Sequence, residues 1–440
     1  MTSNVSRLAS ANTFDRSLTN LSKRQADVAN LQENLTSGKR VVRPSDDPTA
    51  AAQAERSLTR LARIATDQRA LESQRNTIAN AESTLGDVVA AIQQFQELVV
   101  SAGNGTHTAA DRAAITNQLQ YLREQVVGYA NRKDTNGQPL FGGLGSAGDP
   151  ISGPSALNPQ QDYTFNGLAG QTAASETAIP GALDGESAFM HQPARDGVYN
   201  VSMTSIDASR TLATDNVKVT DTSLVNRATY QIRFGAVVPG ATPGTSSTTY
   251  TIEQIELTGE INTWAANATP NEVGPFTVPD YPTGKPVTIA IADQVGPPAI
   301  TGMPGLSLNI TGTPANGDVI TVAPNPSIFS VMDDAIRDIG FAVNSNASSQ
   351  AVGQALYNLD IGMARVSAIR GQAGDLLNRA DRISSNQEAR NIQLEADRSR
   401  VEDLDMIKGI ADFQTKQTAY QAALQSYAQI QKLSLFNFIS

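Results

Sequence analysis

Cysteine is absent from all 440 residues, which excludes disulfides and thiolate metal ligation. Chance produces that absence in a chain that stays in a reducing compartment. Advantage produces it in a chain exported unfolded, which then has no thiol to cross-link on the way. No run reaches the roughly 18 consecutive apolar residues of a spanning helix, so membrane insertion is not expected. The first ten residues, MTSNVSRLAS, lack the apolar core of a cleavable signal. The chain therefore stays in the cytosol or leaves by a route that reads no such signal. Histidine is nearly absent too, with only His107 and His191. No P-loop, GxSxG or HExxH pattern occurs, so neither a catalytic residue nor a cofactor or metal site is expected.

Proline is missing from most of the chain in an informative way. Of 21 prolines, 18 lie in 141–326, and none follows that stretch. Proline removes a backbone donor and clashes inside helices, so the flanks can be long helices and the middle cannot. Positive charge is scarce in the same stretch. Residues 141–326 hold 6 Lys+Arg against 16 Asp+Glu, the whole of the chain's net charge of −10. An acidic middle between neutral ends argues against a nucleic-acid partner, which would need a basic face.

The flanks carry period-3.5 patterns. Phe14, Leu18, Leu21, Gln25, Val28, Gln32 and Leu35 step 4-3 along the N-terminus. Ile64, Leu71, Ile78, Leu85, Ile92 and Val99 recur every seven residues, with Val88 and Phe95 thickening the stripe. Ile115, Leu119, Leu122, Val126 and Tyr129 continue it, and Val352, Leu356, Leu359, Met363 and Val366 repeat it on the C-terminal side. Met406, Ile410, Phe413, Gln417, Tyr420, Leu424, Tyr427 and Gln431 step 4-3 almost to the end. Such a pattern predicts helices packed side by side. Glutamine at seam positions 25, 32, 417 and 431 costs stability while fixing register, and it points to helices that neighbours complete. An ordinary intramolecular coiled coil is the alternative.

The breaks have their own chemistry. Asp46, Asp47 and Pro48 predict a capped helix start, Thr108 with Asp111 a capping box, and Asn136-Gly137 a type I′ turn. In the middle, 198–203, 228–234, 249–255 and 287–291 alternate apolar with polar residues, as strands do. Gly143-Leu-Gly-Ser-Ala-Gly148 matches GxGxxG, but Asp149-Pro150 and Gly153-Pro154 follow where a dinucleotide site needs a helix. A flexible linker is the expectation there, and exposed loops are the expectation for both histidines. The fold class predicted is α+β multidomain, with an all-β domain inserted between two helical halves.

The loop Leu35-Thr-Ser-Gly-Lys-Arg-Val-Val-Arg-Pro-Ser-Asp-Asp-Pro-Thr-Ala-Ala-Ala-Gln-Ala54 resembles the one joining the first two helices of the flagellin superfamily. Ala102-Gly-Asn-Gly-Thr106, Leu140-Phe-Gly-Gly143, Val401-Glu-Asp-Leu-Asp405, Gln417-Thr-Ala-Tyr-Gln-Ala-Ala-Leu424 and Lys432-Leu-Ser-Leu-Phe-Asn-Phe-Ile-Ser440 are similar to that family as well. So are Asp184–Met190 and Ile310–Val322 in the middle. The resemblance implies a flagellin-like organisation. Residues 1–40 with 402–440 would form a terminal coiled coil, 41–140 with 327–401 a helical rod, and 141–326 an exposed β domain. It also implies a non-enzymatic subunit of the hook–filament junction of a bacterial flagellum, exported by the flagellar type III apparatus. A cytosolic export chaperone would grip the C-terminal helix. The subunit would form a ring with copies of itself, after hook-associated protein 1 and before flagellin. Phe14, Leu18, Leu21, Val28, Leu35, Met406, Ile410, Phe413, Tyr420, Leu424 and Tyr427 are the expected assembly interface. A filament subunit or a secreted adhesin with a ligand site in the β domain are the alternatives.

Overall fold

The computed structural model describes residues 3–104, 107–146, 148–154, 163–203, 212–225, 228–255, 272–292, 294–296, 299–342 and 344–439. Long helices make up the flanks: α1 (Ser3–Ser37), α2 (Pro48–Ala102) and α3 (Ala109–Ala130) before the middle. The short helices α4 (Gly185–Phe189) and α5 (Pro193–Asp196) lie within it, and α6 (Ile328–Gly340), α7 (Ser345–Glu402) and α8 (Met406–Ile439) follow. The chain divides into two compact units, residues 1–70 with 382–440, and residues 71–381.

Within unit 71–381 the seven-residue stripe of α2 is core. Leu71, Ile78, Leu85, Val88, Ile92, Phe95 and Val99 are all 0–3% exposed. Leu119, Leu122 and Val126 of α3 and Leu359 and Val366 of α7 are buried as their spacing predicts. The capping box is present, since Thr108 accepts from Asp111 N–H while the Asp111 carboxylate accepts from Thr108 N–H at 2.9 Å. The Asn136-Gly137 turn differs from the two-residue type I′ form. Gly137 N–H donates to Asp134 O and Asp134 N–H to Gln138 O, with Gly137 at φ 78, which makes a three-residue loop. The Asp134 carboxylate, which accepts from Asn136 and Gln138 N–H, selects it.

The middle of the chain is antiparallel β. The larger sheet runs Tyr199–Ser202, Val319–Pro324, Thr229–Phe234, Thr245–Ile255 and Val238–Pro239, with Glu272–Pro282 also paired to Thr245–Ile255. A smaller sheet runs Val287–Ile291, Leu306–Gly312 and Ala213–Thr214. Alternation sets the faces: Tyr230, Ile232 and Phe234 point inward while Thr229, Gln231 and Arg233 stay half-buried. Ile232 lies opposite both Ile320 and Ile252, and these residues join Ile289, Ile291, Leu308 and Ile310 of the smaller sheet in one apolar core.

A row of polar side chains on α7 holds this insert. Asn346 donates to Leu212 O, Gln350 to Thr214 Oγ1, Gln354 and Asn358 both to Tyr199 O, and Arg379 to Ala174 O and Ser175 O. The spacing of four along residues 346–358 puts the amides on one helix face. The partners are mostly backbone carbonyls, so the anchor is indifferent to many side-chain changes in the insert.

Candidate assembly surface

Residues 1–70 with 382–440 form an antiparallel helix pair closed at one end by a clasp. Helix α1 ends where Gly38 takes φ 71, the left-handed conformation that suits the residue after a helix. The backbone then pairs across the fold: Arg40 N–H donates to Glu402 O at 2.8 Å and Leu404 N–H to Gly38 O at 2.9 Å. The Arg40 guanidinium caps Val401 O at 2.7 Å, and Arg43 grips both oxygens of Glu33 at 2.9 Å. Asp47 caps α2 by accepting from Thr49 and Ala50 N–H, with Pro48 at the first helical position as expected. Those bonds, that to Ala50 first, hold the Asp47 carboxyl below the usual range. Asp46 does a different job, closing the preceding loop onto Val42 and Arg43 N–H. Asp405 caps α8 through Ile407 and Lys408 N–H.

Beyond the clasp α1 packs on α8. A Cβ added at Gly409 would stand 2.8 Å from Leu404 Cδ2 and 3.2 Å from Leu35 Cδ2, so a side chain there would push α8 off Leu35. Further along, Lys416 Nζ reaches Asp27 Oδ2 at 2.8 Å, and this bond lowers the Asp27 pKa. Residues 35 and 27 facing 409 and 416 set the antiparallel register.

Each 4-3 pattern resolves into two stripes with different fates. Leu21, Val28 and Leu35, seven apart on α1, are half-buried, as are Phe413, Tyr420 and Tyr427, seven apart on α8. The intervening stripe stays uncovered. Leu18 is 39% exposed, Leu424 40% and Ile410 46%, whereas Met406, seven residues before Phe413 and so in line with the packed stripe, is also 45% exposed. Gln25, Gln32 and Gln417 lie on this outer stripe, so within the chain they are exposed rather than seam residues. Leu31, half-buried, takes the place expected for Gln32. Ile407, absent from the expected set, is the most exposed of these large apolar residues at 85%. The side chains of Phe14 and Gln431 lie outside the described residues.

The other sequence candidates fall elsewhere. Gly143 and Leu144 N–H donate to Leu183 O and Leu168 O, and a Cβ at Gly143 would come within 2.2 Å of Leu168 O. The glycine run thus opens with a packed turn that needs glycine, where a flexible linker was expected. His107 is half-buried in the turn before α3. His191 is buried, 6% exposed, rather than in an open loop. Its backbone N–H donates to Pro326 O at 2.7 Å, beside the Met190–Ser327 bridge where the insert's two crossings meet. Burial pushes the imidazole down to about 4, against the pull of Asp196 and with the help of Arg365 and Arg195. A 370 Å³ cleft lined by Asp184, Ser187, Arg365 and Gln372 lies near, but Arg365 is spent on Asp196 and Ser187 O.

Residues 5–146 match the bacterial flagellin N-terminal helical region and residues 356–439 the C-terminal helical region, together more than half of the chain. The chain belongs to the flagellin family. Among curated relatives, flagellar hook-associated protein 3 of Salmonella typhimurium is 34% identical over 185 residues, 38% of this chain and 56% of that protein. The protein of the same name from Escherichia coli is 32% identical over 218 residues, 42% of this chain and 66% of that protein. The chain thus spans between about half and two thirds of these relatives. The fold matches flagellar hook-associated protein-3 from Legionella pneumophila with a TM-score of 0.56 at 21% identity, covering 79% of this chain and 97% of the other. The two matched helical regions contain both halves of the clasp and both of the paired helices' packed stripes.

Proposed function

We propose that the chain is a structural, non-enzymatic subunit of the bacterial flagellum that joins hook to filament, and that the outer stripe of the α1–α8 pair is where neighbouring subunits dock. The uncovered half of the heptad pattern carries this reading. A chain needing only an intramolecular coiled coil has no use for apolar residues at 18, 407, 410 and 424 on the side the pair leaves open. Docking of further helices covers that stripe, and the glutamines at 25, 32 and 417 then become seam residues that fix register. The expected neighbours are copies of the chain in a ring, hook-associated protein 1 on one side and flagellin on the other. Export runs through the flagellar type III apparatus, with a cytosolic chaperone on the C-terminal helix until delivery. The hook-associated protein 3 relatives, rather than flagellins, guide the choice of junction over filament.

Electron microscopy of a deletion strain tests it. Hooks without filaments, with flagellin shed into the medium, are expected. Normal filaments on the deletion strain would refute the junction role. Long fibres formed by the purified chain alone, detected by sedimentation, would favour a filament subunit instead.

A further inference from the structure

Where Tyr199–Ser202, α6 and α7 meet, a small, partly open cavity of about 10 Å³ is lined by Asn200, Asn325, Asp338, Gln354 and Asn358 among others. Asn325 and Gln354 are each 4% exposed. The surrounding network fixes the Gln354 amide, whose Nε2 donates to Tyr199 O at 2.9 Å and to Asn358 Oδ1 at 3.2 Å. That leaves Gln354 Oε1 buried as an acceptor and Asn325 Nδ2 buried as a donor, neither with a protein partner. An unmet buried polar atom costs about 1–3 kcal/mol, so two together demand an occupant.

The chemistry selects it. The occupant must accept from Asn325 Nδ2 and donate to Gln354 Oε1, which excludes a bare cation at the first contact and an anion at the second. The nearby acids are occupied: Asp338 accepts from Arg337 at 2.9 Å and from Asn200 Nδ2 at 3.2 Å, and Asp334 pairs with Arg337. The volume matches the roughly 10–15 Å³ that one water needs and is too small for a hydrated ion. We propose that this cavity is a binding site for one ordered water molecule, bridging Asn325 Nδ2 and Gln354 Oε1 where the insert joins the helices. Asn325 follows the strand Val319–Pro324 and precedes α6, while Gln354 belongs to the amide row of α7. The water extends that row across to the returning strand, completing an anchor that side chains alone leave open.

A crystal structure of the protein at about 1.2 Å resolution, together with ¹⁷O relaxation dispersion of water, decides it. A single density peak within about 2.7–3.2 Å of both amide atoms is expected. Gln354→Met, which removes the acceptor and occupies the space, should lose one long-lived water from the dispersion amplitude. A dry cavity, amides rotated onto protein partners, or a peak with short oxygen contacts that gains anomalous signal in rubidium would each overturn the proposal. If Gln354→Met fails to fold, the wild-type density alone separates a bound water from these three outcomes.

Discussion

His191 gives the sharpest quantitative handle on how the β insert is held. In the unfolded chain its pKa is the ordinary 6.5, and in the fold burial lowers it to about 4. Between these values the unfolded chain binds a proton that the folded chain refuses, so stability rises with pH across that window. The contribution is fully present above pH 6.5 and is lost as pH falls through the window towards 4. A separation of about 2.5 units corresponds to about 3 kcal/mol, with a steepest slope of about 1 kcal/mol per pH unit near pH 5. Urea unfolding followed by circular dichroism, at steps from pH 7 to 4, measures it. His191→Gln supplies the reference, since an amide keeps a donor for the neighbouring backbone and does not titrate. Carboxylates that do not act on His191, such as Asp333, remain in both proteins and cancel in the difference. The wild type should lose about 3 kcal/mol relative to His191→Gln on going from pH 7 to 4. Parallel curves would show that His191 titrates as an exposed histidine, and the burial of its ring would then be wrong.

The remaining predictions concern the helix pair. Ile407→Asp should leave monomer stability within about 0.5 kcal/mol, because the residue is 85% exposed. In an assembly it would forfeit roughly 120 Å² of apolar burial, about 3 kcal/mol or two orders of magnitude in affinity per contact, so motility in soft agar should fail. Tyr420→Asp should abolish filament attachment while the β insert melts as in wild type, and unimpaired swimming would count against the α1–α8 seam. Amide exchange in the purified monomer should be fast at residues 1–40 and 405–440 and slow along 78–99. Strong protection at the ends would mean that the pair is complete without neighbours.

The period-3.5 pattern made the helices legible, but it could not say which half of each stripe the chain covers itself. On α1 both 28-32-35 and 28-31-35 are acceptable heptad steps, and only the partner's position chooses between them. The structure chooses Leu31, because the clasp at 38–43 and 399–405 sets the rotation of α1 against α8. That clasp is made of backbone bonds between residues more than 360 positions apart, which leave no periodic trace in the sequence. The β strands were visible by alternation wherever one face is wet. The burial of His191 was not, since its backbone is tied to Pro326, far along the chain. The amide row on α7 could have been read from Asn346, Gln350, Gln354 and Asn358 at spacing four, but the same helix carries an apolar stripe that dominates any hydropathy reading. These misses share a cause. Local pattern reports that a face is apolar or polar, while the choice of partner for that face is made by contacts distant in sequence. In this chain the choice is incomplete by construction: the outer stripe of α1 and α8 has the composition of a seam and the exposure of a surface, and a neighbour reconciles the two.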